Sequence, residues 1–279
     1  VVASTGVIGQ RLSLDPIAAG LPQLAAGMTV ENADAAARAI MTTDTVSKQA
    51  AFTGSGYTIG GMAKGAGMLA PGLATMLVVL TTDAQLPAAD LDAALRAATA
   101  VTFDRTDSDG CMSTNDTVVL MASGASGTVP EPDEFTAGLT EVCHSLAQQL
   151  ITDAEGASHD IAVTTVNAAT VADAETASRA VTRSNLFKTA IFGNDPNWGR
   201  VLSAVGTTDA AFEPDQLNVT INGVQVCRNG GIGDSRDLVD LTGRRVTVEI
   251  DLNAGTESAT IWTNDLTTDY VHENSAYSS

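Results

Sequence analysis

The 279 residues carry 14 Lys plus Arg against 33 Asp plus Glu, a formal charge of −19, and 44% of them are hydrophobic. A disordered or fibrous chain is excluded, since this apolar content suffices for one large domain or two ordinary ones. So acidic a composition could hardly assemble the basic face that nucleic-acid phosphates require, which leaves small molecules and protein subunits as partners.

In chain order, Val1 to Ala3 reads as a strand entering the Ser4-Thr5-Gly6 turn, and Asn32 to Met41 as an Ala-rich helix behind a polar, acidic start. Tyr57 to Gly61 reads as a short strand, followed by a run crowded with glycines from Gly60 to Gly72, where the backbone must turn tightly or be closely approached. Thr75 to Thr82 is an unbroken β-branched and apolar run, as expected of a strand buried on both faces. Leu91 to Thr102 and Phe135 to Asp153 show helical spacing, with Asp133 a plausible cap for the second. Ile161 to Val166 returns to a strand pattern and Ala172 to Arg183 reads as a helix. The remainder is expected to be mostly short strands, among them Leu217 to Ile221, Val246 to Asp251 and Ser258 to Thr263. This alternation predicts a layered α/β protein in two domains, 1–158 and 159–279.

Cys111, Cys143 and Cys227 are odd in number, far apart and form no C-x-x-C, so neither a disulfide framework nor a zinc cluster is indicated and a reducing cytoplasm fits. His144, His159 and His272 fall in no metal-ligand spacing, and surface or local hydrogen-bonding roles are expected. The most apolar stretch, Met76 to Leu80, is far shorter than the roughly 20 residues that span a bilayer, and no signal-peptide pattern opens the chain. Opening at Val1 without an initiator Met, the sequence reads as a piece of a longer protein. Gly65-Ala66-Gly67-Met68-Leu69-Ala70 fits the loose dinucleotide pattern, but Pro71 stands where a phosphate-binding helix should already run.

Gly72-Leu73-Ala74-Thr75-Met76 carries more chemistry. A Thr becomes an acyl nucleophile when a base sits beside it, and a free α-amine on the same residue, released by cutting the chain just before it, is one solution. Such an amine has a reference pKa of about 8 and is partly neutral at cellular pH. Small Ala74, the Gly- and Pro-containing loop before it and the apolar strand after it suit that event. Taken alone, the same residues also describe an ordinary strand-opening Thr.

The longer string from Gly60 to Leu77 strongly resembles the processing site of the ornithine acetyltransferase family, the bifunctional glutamate N-acetyltransferases of arginine biosynthesis. Ser4-Thr5-Gly6-Val7-Ile8-Gly9, Ile40-Met41-Thr42-Thr43-Asp44, Ser113-Thr114-Asn115-Asp116-Thr117, Asp153-Ala154-Glu155-Gly156, Lys188 through Arg200 and the terminal Glu273-Asn274-Ser275-Ala276-Tyr277-Ser278-Ser279 look like that family's blocks, in its order. The resemblance spans essentially the whole chain.

It implies an α-β-β-α-type sandwich, N-terminal-nucleophile-like, in two domains with the active site between them. It further implies self-cleavage between Ala74 and Thr75, giving α and β chains that stay associated, two of each. Thr75 would take acetyl from N2-acetyl-L-ornithine and pass it to L-glutamate by ping-pong chemistry, with no cofactor and no metal, some family members also accepting acetyl-CoA as donor. Thr5 and Gly6 match the oxyanion-hole positions; Thr42, Lys64, Thr75, Glu155, Asn274 and Ser279 match substrate contacts. Lys64 would hold a substrate α-carboxylate, and Glu155 a substrate ammonium or the Thr75 amine. The C-terminus is expected to fold back over the site. Asn115, Asp116 and the Gly193 to Arg200 loop are assigned to structure, with Trp198 a packing anchor. Family members carry a further region upstream, so the activity is expected of the full-length protein. A self-processing amidase or aminopeptidase, or a non-catalytic amino-acid-binding chain, are the rival readings.

Overall fold

The computed structural model of the chain describes residues 3–6, 9–70, 76–111 and 115–276. Two helices, α1 (Leu14–Ala26) and α2 (Ala33–Ala39), precede a four-stranded sheet built from β1 (Lys48–Thr53), β2 (Thr58–Lys64), β3 (Leu77–Thr82) and β4 (Thr117–Ala122) in that spatial order. β1, β2 and β3 are antiparallel neighbours, whereas β3 and β4 run parallel, so a crossover is needed between them and helix α3 (Ala88–Ala100) lies in it. β3 is an inner strand with Val78 and Leu80 fully buried, which is why its sequence does not alternate.

The long helix α4 (Pro132–Thr152) covers this sheet and buries Leu139, Val142, Leu146 and Leu150, one face at helical spacing, against Ile59, Val78 and Leu80. Its close approach needs Gly61 on β2, where a Cβ would lie 2.7 Å from Leu80 Cδ2 and 3.0 Å from Leu146 Cδ1. The start of α4 departs from expectation. Asp133 lies inside the first turn, where its charge favours the helix N-terminus, while the N-cap position is Glu131, whose side chain makes no capping hydrogen bond. Asn32 likewise precedes α2 without a side-chain cap.

A second, six-stranded sheet has the order β10-β5-β9-β6-β7-β8, from β5 (Asp160–Ala168), β6 (Asn218–Ile221), β7 (Val224–Arg228), β8 (Gly231–Ile232), β9 (Arg245–Asp251) and β10 (Glu257–Asn264). Helices α5 (Val171–Thr182), α6 (Asn185–Phe192) and α7 (Trp198–Val205) build its core with Val163, Val219, Val248 and Ile250. The expectation of mostly short strands after Arg183 therefore omits α6, α7 and the closing helix α8 (Thr268–Ala276). Asn197 caps α7, accepting the Arg200 N–H at 3.3 Å, and Trp198 packs on the second core. The two helix-backed sheets make the layered α/β architecture expected.

Residues 106–110 stitch the two sheets together. Buried Asp107 accepts Arg183 Nε at 2.7 Å and Arg179 Nη1 at 3.2 Å from α5. Ser108 donates its hydroxyl to Asn264 Oδ1 at 2.9 Å, and its carbonyl accepts the Lys188 ammonium from α6. Among the described residues, no helix is long and apolar enough to cross a membrane.

Candidate active site

Register aligns the termini of three strands at one end of the first sheet. Lys64, the last residue of β2, lies opposite Leu77, the first of β3, and Leu77 lies beside Thr117, the first of β4. The residues just before these starts therefore meet: Met76 donates its N–H to Asp116 Oδ1 at 2.8 Å. Burial raises the Asp116 carboxyl, and the opposing Met76 hydrogen bond and Lys64 charge leave it at about 7. Lys64 is buried. Desolvation pulls its ammonium down, against the attraction of Asp44, Asp116 and Glu155, and Lys48 adds to the lowering.

Glu155 enters from the turn after α4. Its N–H donates to the Ala66 carbonyl at 2.8 Å, which ties that turn to the glycine-rich segment. Its carboxylate rests on Gly67, where a Cβ would come within 2.7 Å of Oε2. Asn274 of α8 donates from Nδ2 to the same Oε2 at 3.1 Å, and α8 is seated by Thr267, whose hydroxyl donates to the Gly156 carbonyl at 2.6 Å. Gly156 has φ +62°, and a Cβ there would meet the backbone of Asp269 and Tyr270.

Glu155 lines two cavities. One, of about 670 Å³, also includes Thr43, Asp153, His272 and Glu273. The other, of about 190 Å³, includes Asp109, Lys188, Asp265 and Tyr270. Burial lowers the Lys188 ammonium and raises the Asp109 carboxyl, each opposed in part by the charge of the other. Tyr270 is pushed up to about 12 by burial and by the charges of Asp109, Cys111 and Glu155.

The structure thus brings Lys64 and Glu155 within electrostatic reach of each other and sets Asn274 on Glu155. Thr42 is exposed in the loop between α2 and β1, its N–H donating to Asp44 Oδ2 at 3.0 Å. Thr5 is half-buried and Gly6 exposed, upstream of α1; among the described residues no hydrogen bond or ion pair joins them to this cluster. Ala74, Thr75 and Ser279 lie outside the described residues.

A carboxylate that is held by an amide, lines two cavities and feels the charge of a buried ammonium is chemistry suited to a zwitterionic amino acid, whose α-carboxylate an ammonium would meet and whose amine a carboxylate would meet. His159 takes no part. Its Nδ1 faces Asp265 at 2.8 Å and its Nε2 the Leu241 carbonyl at 3.0 Å, so it braces the second sheet. Sequence reasoning assigned Asp116 to structure and passed over Lys48. A compositional signal existed for the latter: the chain has three lysines in a charge of −19, and all of them, Lys48, Lys64 and Lys188, are buried.

A model of the ArgJ family matches residues 1–279. The chain is 64% identical over 278 residues to the arginine biosynthesis bifunctional protein ArgJ of Streptomyces avermitilis, covering 100% of this chain and 73% of that one. Its counterpart in Thermobifida fusca matches at 64% with the same coverage. The crystal structure of the arginine biosynthesis bifunctional protein from Bacillus halodurans superposes with a TM-score of 0.68 at 33% identity, covering 72% of this chain and 98% of that one.

Proposed function

The chain belongs to the ArgJ family, and on that premise we propose that it is the self-processing acetyltransferase of arginine biosynthesis, which moves acetyl from N2-acetyl-L-ornithine to L-glutamate through an ester on Thr75. Cleavage of the Ala74–Thr75 bond frees the Thr75 α-amine. That amine accepts the hydroxyl proton as Oγ attacks the acetyl carbonyl. The Thr5 hydroxyl and the Gly6 N–H stabilise the oxyanion, a contribution of about 3 to 4 kcal/mol per donor in acyl transfer generally. Ornithine leaves with the proton, and the glutamate amine then attacks the ester and restores the hydroxyl. Acetyl-CoA is an alternative donor.

The observation that carries this reading is the strand-end row. Met76, the residue after the proposed nucleophile, is pinned by Asp116, and its neighbour Leu77 pairs with buried Lys64, which feels the charges of Asp116 and Glu155. Lys64 holds the α-carboxylate common to both substrates. Glu155, steadied by Asn274, takes the amine side, while Thr42 and Ser279 complete the substrate shell. We further assign two domains meeting near His159, an assembly of two α and two β chains, and action in the cytoplasm.

The reading is tested by mixing the full-length protein with acetylornithine alone, quenching and mapping the acetyl group by peptide mass. Acetyl on Thr75 that disappears when glutamate is added, with N-acetylglutamate formed, is the expected result. Release of free acetate at the same rate without glutamate would instead identify a hydrolase. For Lys64→Met, the expected result is a raised KM for both substrates with a smaller change in kcat.

A further inference from the structure

We propose that Lys48 is a positioning residue of this active site, its buried ammonium fixing three separate segments, those bearing Thr42, Lys64 and Glu155, in one arrangement. The inference rests on the substrate-binding roles proposed for those three residues. Lys48 opens β1 with its side chain fully buried. Its three N–H donors meet three acceptors: Asp44 Oδ1 at 2.6 Å, Asp153 Oδ2 at 2.5 Å and the Val46 carbonyl at 3.3 Å.

Each carboxylate then reaches a backbone on which a substrate residue is carried. Asp44 accepts the Gly65 N–H at 2.7 Å, next to Lys64, and the Thr42 N–H at 3.0 Å. Asp153, two residues before Glu155, accepts the Thr45 N–H at 3.0 Å and the Thr45 hydroxyl. The end of α4 is thereby bound to the Thr42 loop. Burial raises the Asp44 carboxyl, but the Gly65 N–H, Lys48 and the Thr42 N–H outweigh it and hold it below its ordinary value, so the link is ionic. A buried ion pair adds little net stability over an apolar replacement, and in some proteins its value lies in fixing one arrangement. Here what it fixes is the spacing of the groups that grip the substrate.

Lys48→Met alone would remove the cation shared by two carboxylates and risk unfolding. Lys64 lies near Asp44, so Asp153 is the charge left without compensation, and the informative variant of the full-length protein is Lys48→Met with Asp153→Asn. The expected result is a cooperatively folded protein whose kcat/KM for acetyl transfer falls by about 100-fold, the loss typical of reacting groups misplaced by about 1 Å. Amide exchange should quicken together in the peptides containing Thr42, Gly65 and Glu155. A folded double variant with wild-type kcat/KM, or faster exchange confined to β1, would overturn the proposal. If the double variant does not fold, Asp153→Asn alone decides: exchange should quicken around Thr45 and Glu155 but not at Gly65, which Asp44 still holds, and equal loss at Gly65 would refute the linkage. Absence of acetyl transfer by the wild-type protein would sink the enzymatic reading, while the exchange pattern would still report whether Lys48 couples the three segments.

Discussion

Gly67→Ala separates the chemistry of Glu155 from the stability of the fold. A Cβ at Gly67 would lie 2.7 Å from Glu155 Oε2, 2.9 Å from Cδ and 3.0 Å from Oε1. Ordinary contact begins at 3.4 Å, so the carboxylate must retreat by about 0.7 Å. Because the obstacle is the far end of a flexible side chain, the stability cost should stay at or below about 1 kcal/mol, the low end for overpacking. Catalysis should suffer far more. The 3.1 Å Asn274 hydrogen bond is made to the displaced oxygen, and if Glu155 grips the substrate as proposed, a shift of this size predicts a fall of about 10- to 100-fold in kcat/KM. Gly61→Ala is the control: its Cβ would meet Leu80, Leu146 and Val142 at 2.7, 3.0 and 3.2 Å in the apolar core, costing about 1 to 3 kcal/mol with kcat/KM per folded molecule unchanged. Both are read by thermal melting alongside acetyl-transfer kinetics. If Gly67→Ala retains kcat/KM, or if both variants lose activity only in proportion to lost folded protein, Glu155 does not act on the substrate.

Two further perturbations address helix α8 and the start of β3. In Gly156→Ala the Cβ would fall 2.6 Å from the Asp269 carbonyl carbon and 2.7 Å from Tyr270 Cα, at φ +62°. Backbone cannot yield as a side-chain tip does, so α8 should undock, become open to proteolysis and raise the glutamate KM; a protected α8 with normal KM would refute its closing role. Asp116 has its folded carboxyl raised to about 7, so the folded state holds a proton that the unfolded state releases near pH 4, and the group's stabilising protonation is lost as pH rises toward 7. Asp116→Asn, whose Oδ1 can still accept the Met76 N–H, should therefore raise Tm most at pH 8 and clearly less at pH 5, about one unit into the window between the unfolded and folded values. Equal shifts at both values would show that Asp116 does not titrate in this range.

The strongest elements were legible because burial writes periodicity into sequence. β3 lies between two strands and reads as an unbroken apolar run; α4 buries one stripe of Leu and Val and reads at helical spacing. β1 is an edge strand whose Lys48 is buried where the pattern predicts nothing, and α1 buries no residue and contains Pro22, so neither offered a clean period. α7 was hidden by its own cap, since Asp-Pro-Asn-Trp reads as a turn until Asn197 is seen accepting from Arg200. The family blocks named Lys64, Glu155 and Asn274, and the structure supplies their spatial relation. Asp116 and Lys48 escaped because their significance lies in pairings across 40 and 105 residues, which no local pattern carries.

The central claim is that Thr75 becomes a chain terminus, and intact-mass spectrometry of the purified full-length protein tests it most directly. The account predicts two fragments that meet between Ala74 and Thr75 and merge into one uncut mass in Thr75→Ala. A single uncut mass in the unaltered full-length protein, catalysing acetyl transfer all the same, would contradict it.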